Sequence, residues 1–306
     1  LQYKKQIMKI IVTGSLGHIS QPLTKTLLQK GHDVTVISSR PENQTAIEAL
    51  GATAAIGTLE DVPFLTAVFT GADAVYAMVP PNNYFDHSLD LTGYYARLGH
   101  NYASAIERSG VKRVVNLSTI GAHLEKGSGI LIGAHKVQQI LDGLPAEVSI
   151  THMRPTSFYY NLYGYVDMIR NGGVIMANYG AGDIVPWVAP ADIAAAVAEE
   201  ITAPPAGRKV RYVASEEMSC NEVAGILGAA IGKPDLKWVI VPDEQMLNGL
   251  TAKGMAPHIA AGLVEMYGAL HTGLLAEDYY RNRPAVMGQV KMADFAKEFA
   301  AAFQQK

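Results

Sequence analysis

One segment near the start constrains this chain more than any other: Val12-Thr13-Gly14-Ser15-Leu16-Gly17-His18-Ile19-Ser20. Before it stands a short apolar run, Lys9-Ile10-Ile11-Val12-Thr13, that reads as a buried strand. After it, residues 18–30 have helical spacing and stop at Gly31, and residues 33–37 form a second β-branched run. A strand, a glycine turn, a helix and a second strand within about 30 residues make the opening unit of a dinucleotide-binding fold. Gly14 permits the tight turn, and Gly17 removes the side chain where a pyrophosphate must approach the backbone. The unpaired N–H groups at the helix start and the helix dipole favour the anion. Ser20 stands where a third glycine is usual, and it is small enough for close packing of helix on strand. A plain strand-to-helix corner is the competing reading of the turn, and the order of elements favours the nucleotide. Gly14, Ser15, Leu16, Gly17, His18 and Ile19 are therefore expected at a cofactor.

The same alternation continues. Residues 53–56, 74–78, 113–117 and 147–153 read as strands, the fourth strand ending before Pro80-Pro81, and residues 88–109 read as a long helix. Short apolar strands separated by helices predict a parallel sheet covered on both faces. Beyond Arg154-Pro155 the texture changes. Tyrosines gather at 159, 160, 163 and 165, helical patterns cover 221–231 and 292–303, and strand-like pieces occupy 210–213 and 238–241. The expected fold class is α/β: a doubly wound parallel Rossmann sheet over residues 8–150, with a smaller C-terminal α/β substrate subdomain over 151–306 that also completes the sheet. Residues 1–7, ahead of the strand and followed by Met8, read as an upstream remnant.

Charge and cysteine usage narrow the function. With 25 basic and 28 acidic residues, nothing favours nucleic acid as a direct partner. The single cysteine, Cys220, excludes an internal disulfide and a CxxC metal site, and it fits a reducing, cytoplasmic setting. No apolar run is long enough to span a membrane. The nine histidines show no metal-ligand spacing, so no metal is expected.

The end of the second strand selects the cofactor. An NAD site usually carries Asp or Glu there for the ribose 2′-OH, and this chain has Ser38-Ser39-Arg40. A guanidinium pairs with a 2′-phosphate and serine hydroxyls donate to it, so NADP(H) is expected, read by Ser38 and Arg40. A solvated loop charge is the alternative for Arg40, and nearby Glu42 would weaken the preference. Asp61 is placed either at the adenine edge or as a helix N-cap. Met78, Val79 and Pro80 end the fourth strand, where ligands enter such sheets.

Several motifs together resemble a family. Residues 9–20, Arg40-Pro41-Glu42, Gly57-Thr58-Leu59-Glu60-Asp61, Met153-Arg154-Pro155 to Asn161-Leu162 and Trp187-Val188-Ala189-Pro190-Ala191-Asp192-Ile193-Ala194 are similar to the NmrA-like branch of the atypical short-chain dehydrogenases/reductases. The resemblance implies an NAD(P)-binding Rossmann fold. Its members include quinone, dye and isoflavone-type reductases and also redox-sensing regulators.

Most dehydrogenases of that superfamily use Ser, Tyr and Lys, with Tyr four residues before Lys on one helix face. None of the fifteen tyrosines here has that lysine. The resemblance places Lys136 at the nicotinamide ribose and Ser118 at the serine position, but Ile132 stands where the tyrosine would be. A surface lysine and a turn-capping serine are the alternatives, and the neighbouring His135 reads as structural. Phe158, Tyr159, Tyr160, Tyr163 and Tyr165 are expected to line an aromatic pocket, with Tyr159 taken as a catalytic candidate. Reducing a ketone yields a strongly basic alkoxide, whereas a quinone or an extended dye can be protonated afterwards by water. The expectation is thus an NADP(H)-dependent reductase of small quinone-like or other conjugated electrophiles that works without a Tyr general acid. The alternative is a non-catalytic NAD(P) redox sensor acting through a protein partner.

Overall fold

The computed structural model describes residues 7–305. The expected upstream remnant therefore falls, apart from Ile7, outside the described residues. The strands are β1 (Lys9–Val12), β2 (Asp33–Ser38), β3 (Thr53–Ile56), β4 (Ala74–Ala77), β5 (Arg113–Leu117), β6 (Ser149–Pro155), β7 (Ser157–Phe158), β8 (Val174–Ala177), β9 (Ile184–Val188), β10 (Arg208–Val213), β11 (Glu216–Ser219) and β12 (Lys237–Ile240). The helices are α1 (Ser20–Gln29), α2 (Gln44–Ala49), α3 (Val62–Phe69), α4 (Leu91–Ser109), α5 (Ile132–Asp142), α6 (Val166–Gly172), α7 (Pro190–Thr202), α8 (Cys220–Ala230), α9 (Asp243–Ala252), α10 (Pro257–His271), α11 (Glu277–Arg281) and α12 (Met292–Gln304).

Seven strands form the main sheet in the order β10-β6-β5-β4-β1-β2-β3, and all are parallel. The order reverses between β1 and β4, which opens a crevice at their carboxyl ends. Side chains alternate along β1, so Ile10 and Val12 face one layer and Ile11 the other. The first layer packs Leu23 and Leu27 of α1 and Ile193, Val197 and Ile201 of α7 onto the sheet. The second packs Leu65 of α3, Tyr102 and Ile106 of α4, and Val137 and Leu141 of α5 onto the opposite face. Burial on both faces explains why these strands read as continuous apolar runs.

The division drawn between 150 and 151 runs through β6, and β10 completes the edge of the main sheet beside it. The C-terminal half has a core of its own, with Tyr159, Tyr165, Trp187, Trp238, Phe295 and Phe299 at its centre. Two small sheets frame it, β11-β9-β7 and β12-β8. Among the described residues no single helix is long and apolar enough to cross a membrane.

Asp192 ties α7, which packs on the main sheet, to two C-terminal segments. Buried in the first turn of α7, its carboxylate accepts from the Ser215 hydroxyl (2.6 Å) and from the backbone N–H groups of Gln289 (2.9 Å) and Val290 (3.1 Å). Asp192→Ala strands these donors, and the expected loss of stability is about 2–4 kcal/mol. A lower urea midpoint at unchanged slope is the expected reading; an unmoved midpoint would contradict the assignment.

Candidate functional site

The glycine loop is fixed from three sides. Gly14 has φ +87°, and a Cβ there would lie 2.5 Å from the Ser20 hydroxyl oxygen and 3.0 Å from the Met78 sulfur. Ser20 is buried and donates to the Thr13 carbonyl at 2.7 Å, which draws α1 onto the end of β1. The Thr13 hydroxyl donates to the Tyr76 carbonyl (3.1 Å) and accepts from Met78 N–H (3.0 Å), tying β1 to β4 at the crevice. The Ser15 N–H donates to the Ile37 carbonyl at 3.1 Å and anchors the loop to β2.

The start of α1 is left open. It has no side-chain cap and no acidic residue in its first turn. The N–H groups of Leu16, His18 and Ile19 donate to no other group among the described residues. Such orphan donors at a helix start suit a phosphate anion. Gly17 is exposed beside them, and a Cβ there would touch only the Gly14 carbonyl, at 3.0 Å.

At the end of β2 a short hydrogen-bond chain joins the loop to Arg40. The Ser15 hydroxyl donates to the buried Ser38 hydroxyl (2.9 Å), and Asn43 donates to Ser15 (2.9 Å) and Ser38 (3.3 Å). The Arg40 N–H donates to the Ser38 hydroxyl oxygen at 3.2 Å, and the exposed Arg40 guanidinium has no ion pair among the described residues, with Glu42 or any other carboxylate. Asn43 carries no motif signal, and sequence reasoning missed it. Of the two roles expected for Asp61, the structure shows the N-cap: it opens α3 and accepts from the Phe64 N–H at 3.0 Å.

The segments that follow β4, β5 and β6 close the other side of the crevice. Met78, Val79 and Pro80 are part-buried at the end of β4. The loop beyond them carries Tyr84, whose carbonyl accepts from Ala256 N–H at 3.0 Å. His87 Nε2 lies 3.2 Å from the Gly254 carbonyl, and His258 Nε2 lies 2.8 Å from that of Leu89. This loop is thereby docked on the start of α10. Asp90 caps α4 through the Gly93 N–H at 2.9 Å and sets Tyr95 in its first turns. The Tyr95 ring fills the space over Gly133 of α5, where a Cβ would come within 2.5 Å of it. Tyr160, after β6, stacks on His18 of the glycine loop with ring centroids 5.0 Å apart and lies 5.3 Å from the Phe158 ring. Burial raises the pKa of Tyr84, Tyr95 and Tyr160 above the usual phenol range, so all three hydroxyls stay neutral donors.

Of the three residues expected to carry catalysis, Ser118 and Tyr159 are taken up inside the protein, and Lys136 is exposed. On α5, Val137 and Ile140 pack on Gly99 of α4, while Ala134, Gln138 and Leu141 are buried towards the sheet. Lys136 falls on the remaining side of the helix, exposed and with no hydrogen bond or ion pair among the described residues. The Ser118 hydroxyl is buried and donates to the Gln138 side-chain carbonyl (2.9 Å), which also accepts from Arg154 (3.1 Å). Tyr159 is enclosed in the C-terminal core and stacked on Phe295, and its hydroxyl donates to the Glu216 carboxylate at 3.0 Å. Adjacent residues face apart here, so Tyr160 meets the loop and Tyr159 does not. His135 is taken up by the Ala122 carbonyl, 3.0 Å from its Nδ1. Lys136→Ala is accordingly expected to leave dinucleotide affinity within about twofold of wild type; a tenfold loss by calorimetry, roughly 1.4 kcal/mol, would return Lys136 to the site.

Comparison with known proteins follows the same outline. The NmrA-like family model matches residues 6–273. The NAD(P)H azoreductase of Xenophilus azovorans is 27% identical over 300 residues, covering 96% of this chain and 99% of that protein. Among solved structures, an NADPH-dependent quinone oxidoreductase from Escherichia coli, complexed with NADPH, superposes with a TM-score of 0.80 at 19% identity, over 94% of this chain and 99% of that one. Citrobacter sp. triphenylmethane reductase complexed with NADP(H) gives a TM-score of 0.77 at 19% identity, over 95% and 99% of the two chains. At such identity these structures speak to the fold.

Proposed function

The chain belongs to the NmrA-like family, and on that premise we propose that it is a reductase that uses NADP(H) to reduce a quinone-like or other conjugated acceptor. The observation that carries the proposal is the open start of α1, linked through Ser15, Ser38 and Asn43 to the backbone of Arg40, whose guanidinium has no ion pair among the described residues. The loop from Gly14 to Ile19 would hold the pyrophosphate, and Ser38, Arg40 and Asn43 the 2′-phosphate. Met78, Val79 and Pro80 would flank the nicotinamide end of the crevice. When bound, the dinucleotide supplies a hydride. The azoreductase relative, and the two reductases whose folds this chain shares, support a conjugated acceptor.

The protein's own contribution is position and exclusion of water. The docked loop after β4 and the His18–Tyr160 stack wall the crevice, so an acceptor lies flat against aromatic faces. A quinone that gains a hydride holds its charge on a phenolate-like oxygen, which water protonates. The absence of a tyrosine at Ile132 does not block that reaction. The test is NADPH oxidation by the purified protein over a panel of quinones, azo compounds and triarylmethane dyes. The reading predicts turnover of at least one, with NADPH preferred to NADH. Tight NADPH binding with no acceptor reduced would favour the sensor reading instead.

A further inference from the structure

The main chain leaves the sheet at Met78. The pairing of β4 with β1 stops at Tyr76 and that with β5 at Ala77, so no strand residue is paired with Met78 among the described residues. Two side-chain hydroxyls take up its peptide groups instead. The Met78 N–H donates to the Thr13 hydroxyl oxygen at 3.0 Å, and the Met78 carbonyl accepts from the Tyr102 hydroxyl at 2.7 Å. Thr13 is fully buried just past β1, and its own proton goes to the Tyr76 carbonyl at 3.1 Å. Tyr102 comes from the middle of α4, where its ring belongs to the apolar layer of Ile11, Leu65, Phe69 and Val75. A phenylalanine would fill that layer equally well, so packing does not call for the hydroxyl; the Met78 carbonyl does. Burial holds this phenol above its usual range, and it stays a neutral donor. The Met78 side chain lies over the glycine turn, with its sulfur 3.0 Å from where a Cβ on Gly14 would stand.

We propose that Thr13 and Tyr102 are positioning residues for hydride transfer: together they fix the Met78 peptide, and with it the turn Met78-Val79-Pro80, against the nicotinamide end of the dinucleotide. The proposal rests on the reductase reading above, in which that turn flanks the nicotinamide. A quinone acceptor gains a hydride from the dinucleotide and a proton from water and becomes a hydroquinone, and the dinucleotide is left oxidised. Hydride transfer needs donor and acceptor atoms in contact and aligned, so a wall that shifts costs rate more than affinity. The turn stands where the strand order reverses, and past the ends of both ladders only these two hydroxyls hold its first peptide. The residues proposed for the 2′-phosphate, Ser38, Arg40 and Asn43, lie at the end of β2 and bond to neither hydroxyl. The loss of one hydroxyl is therefore felt at the nicotinamide half of the site.

Tyr102→Phe keeps the ring and removes the bond to the Met78 carbonyl. In single turnover with saturating NADPH and a water-soluble benzoquinone, the rate should fall roughly tenfold. Affinity for 2′-phospho-ADP-ribose, a fragment without nicotinamide, should stay within about twofold of wild type. The fluorescence of bound NADPH, which reports how firmly the dihydronicotinamide is held, should fall with the rate. Thr13→Val removes the other bond and should act in the same direction, while Thr13→Ser keeps a hydroxyl and should restore the rate. An unchanged rate in folded Tyr102→Phe would overturn the proposal. So would an equal loss of affinity for NADPH and for the fragment, the mark of a general loosening. If Tyr102→Phe does not fold, the Thr13 pair decides: a slow Thr13→Val beside a normal Thr13→Ser supports the proposal, and equal rates overturn it. If the wild type reduces no acceptor, the reductase reading fails on its own; the fluorescence of bound NADPH then decides, with a drop in Tyr102→Phe supporting the positioning role and an unchanged signal overturning it.

Discussion

Replacing Gly17 by valine is expected to weaken NADPH and NADH alike by at least roughly a hundredfold while leaving the protein folded. The backbone at Gly17 is not in the left-handed region, and an added Cβ meets only the Gly14 carbonyl, at 3.0 Å, so the loop takes a side chain with a shift of a few tenths of an ångström. The branches of valine would point into the space beside the free N–H groups of Leu16, His18 and Ile19, where the pyrophosphate must come close. Gly14→Val is the less useful variant, because its strained φ and the contact with Ser20 would deform the loop whether or not a ligand binds there. Calorimetry with both dinucleotides, beside a thermal melt, separates the effects. Retained affinity for either cofactor in a folded Gly17→Val protein would mean that the dinucleotide lies elsewhere.

Arg40→Ala has a narrower expected effect. The guanidinium has no carboxylate partner among the described residues, so its loss disturbs no ion pair there, and affinity for NADPH should fall roughly ten- to a hundredfold with NADH unchanged. The bonds among Ser15, Ser38 and Asn43 remain, so the loop keeps its shape in the variant. The check is the ratio of the two dissociation constants at one salt concentration, because an exposed charge is screened. An equal loss for both dinucleotides would show that Arg40 does not read the 2′-phosphate.

The sheet was legible in the sequence because its strands are short, β-branched and buried on both faces. β2, β3 and β5 fall within a residue of their expected limits, whereas β6 lies two residues later than expected. The glycine loop was legible because its chemistry belongs to the backbone. The acceptor side was harder, for identifiable reasons. Tyr159 and Tyr160 are adjacent, and nothing local says which enters the core; the pairing with Glu216, far along the chain, decides it. Tyr95 shares a helix stripe with the buried Leu91, Leu98 and Tyr102, so its spacing carries no signal that separates it from packing. Only the missing side chain at Gly133, on another helix, gives its ring a place. Lys136 was placed by a motif whose tyrosine this chain lacks, and the face of α5 on which it lies is set by contacts of Gly99 and Gln138.

The measurement that bears most directly on the central claim is a single-turnover mixing experiment. Protein in excess is loaded with NADPH and mixed with a benzoquinone in the absence of oxygen, and the absorbance of the reduced nicotinamide is followed. The account predicts stoichiometric loss of that absorbance in one phase, far faster than the same reagents react without protein, and a much slower phase when NADH replaces NADPH. Bound NADPH that stays reduced in the presence of every quinone tried would contradict it.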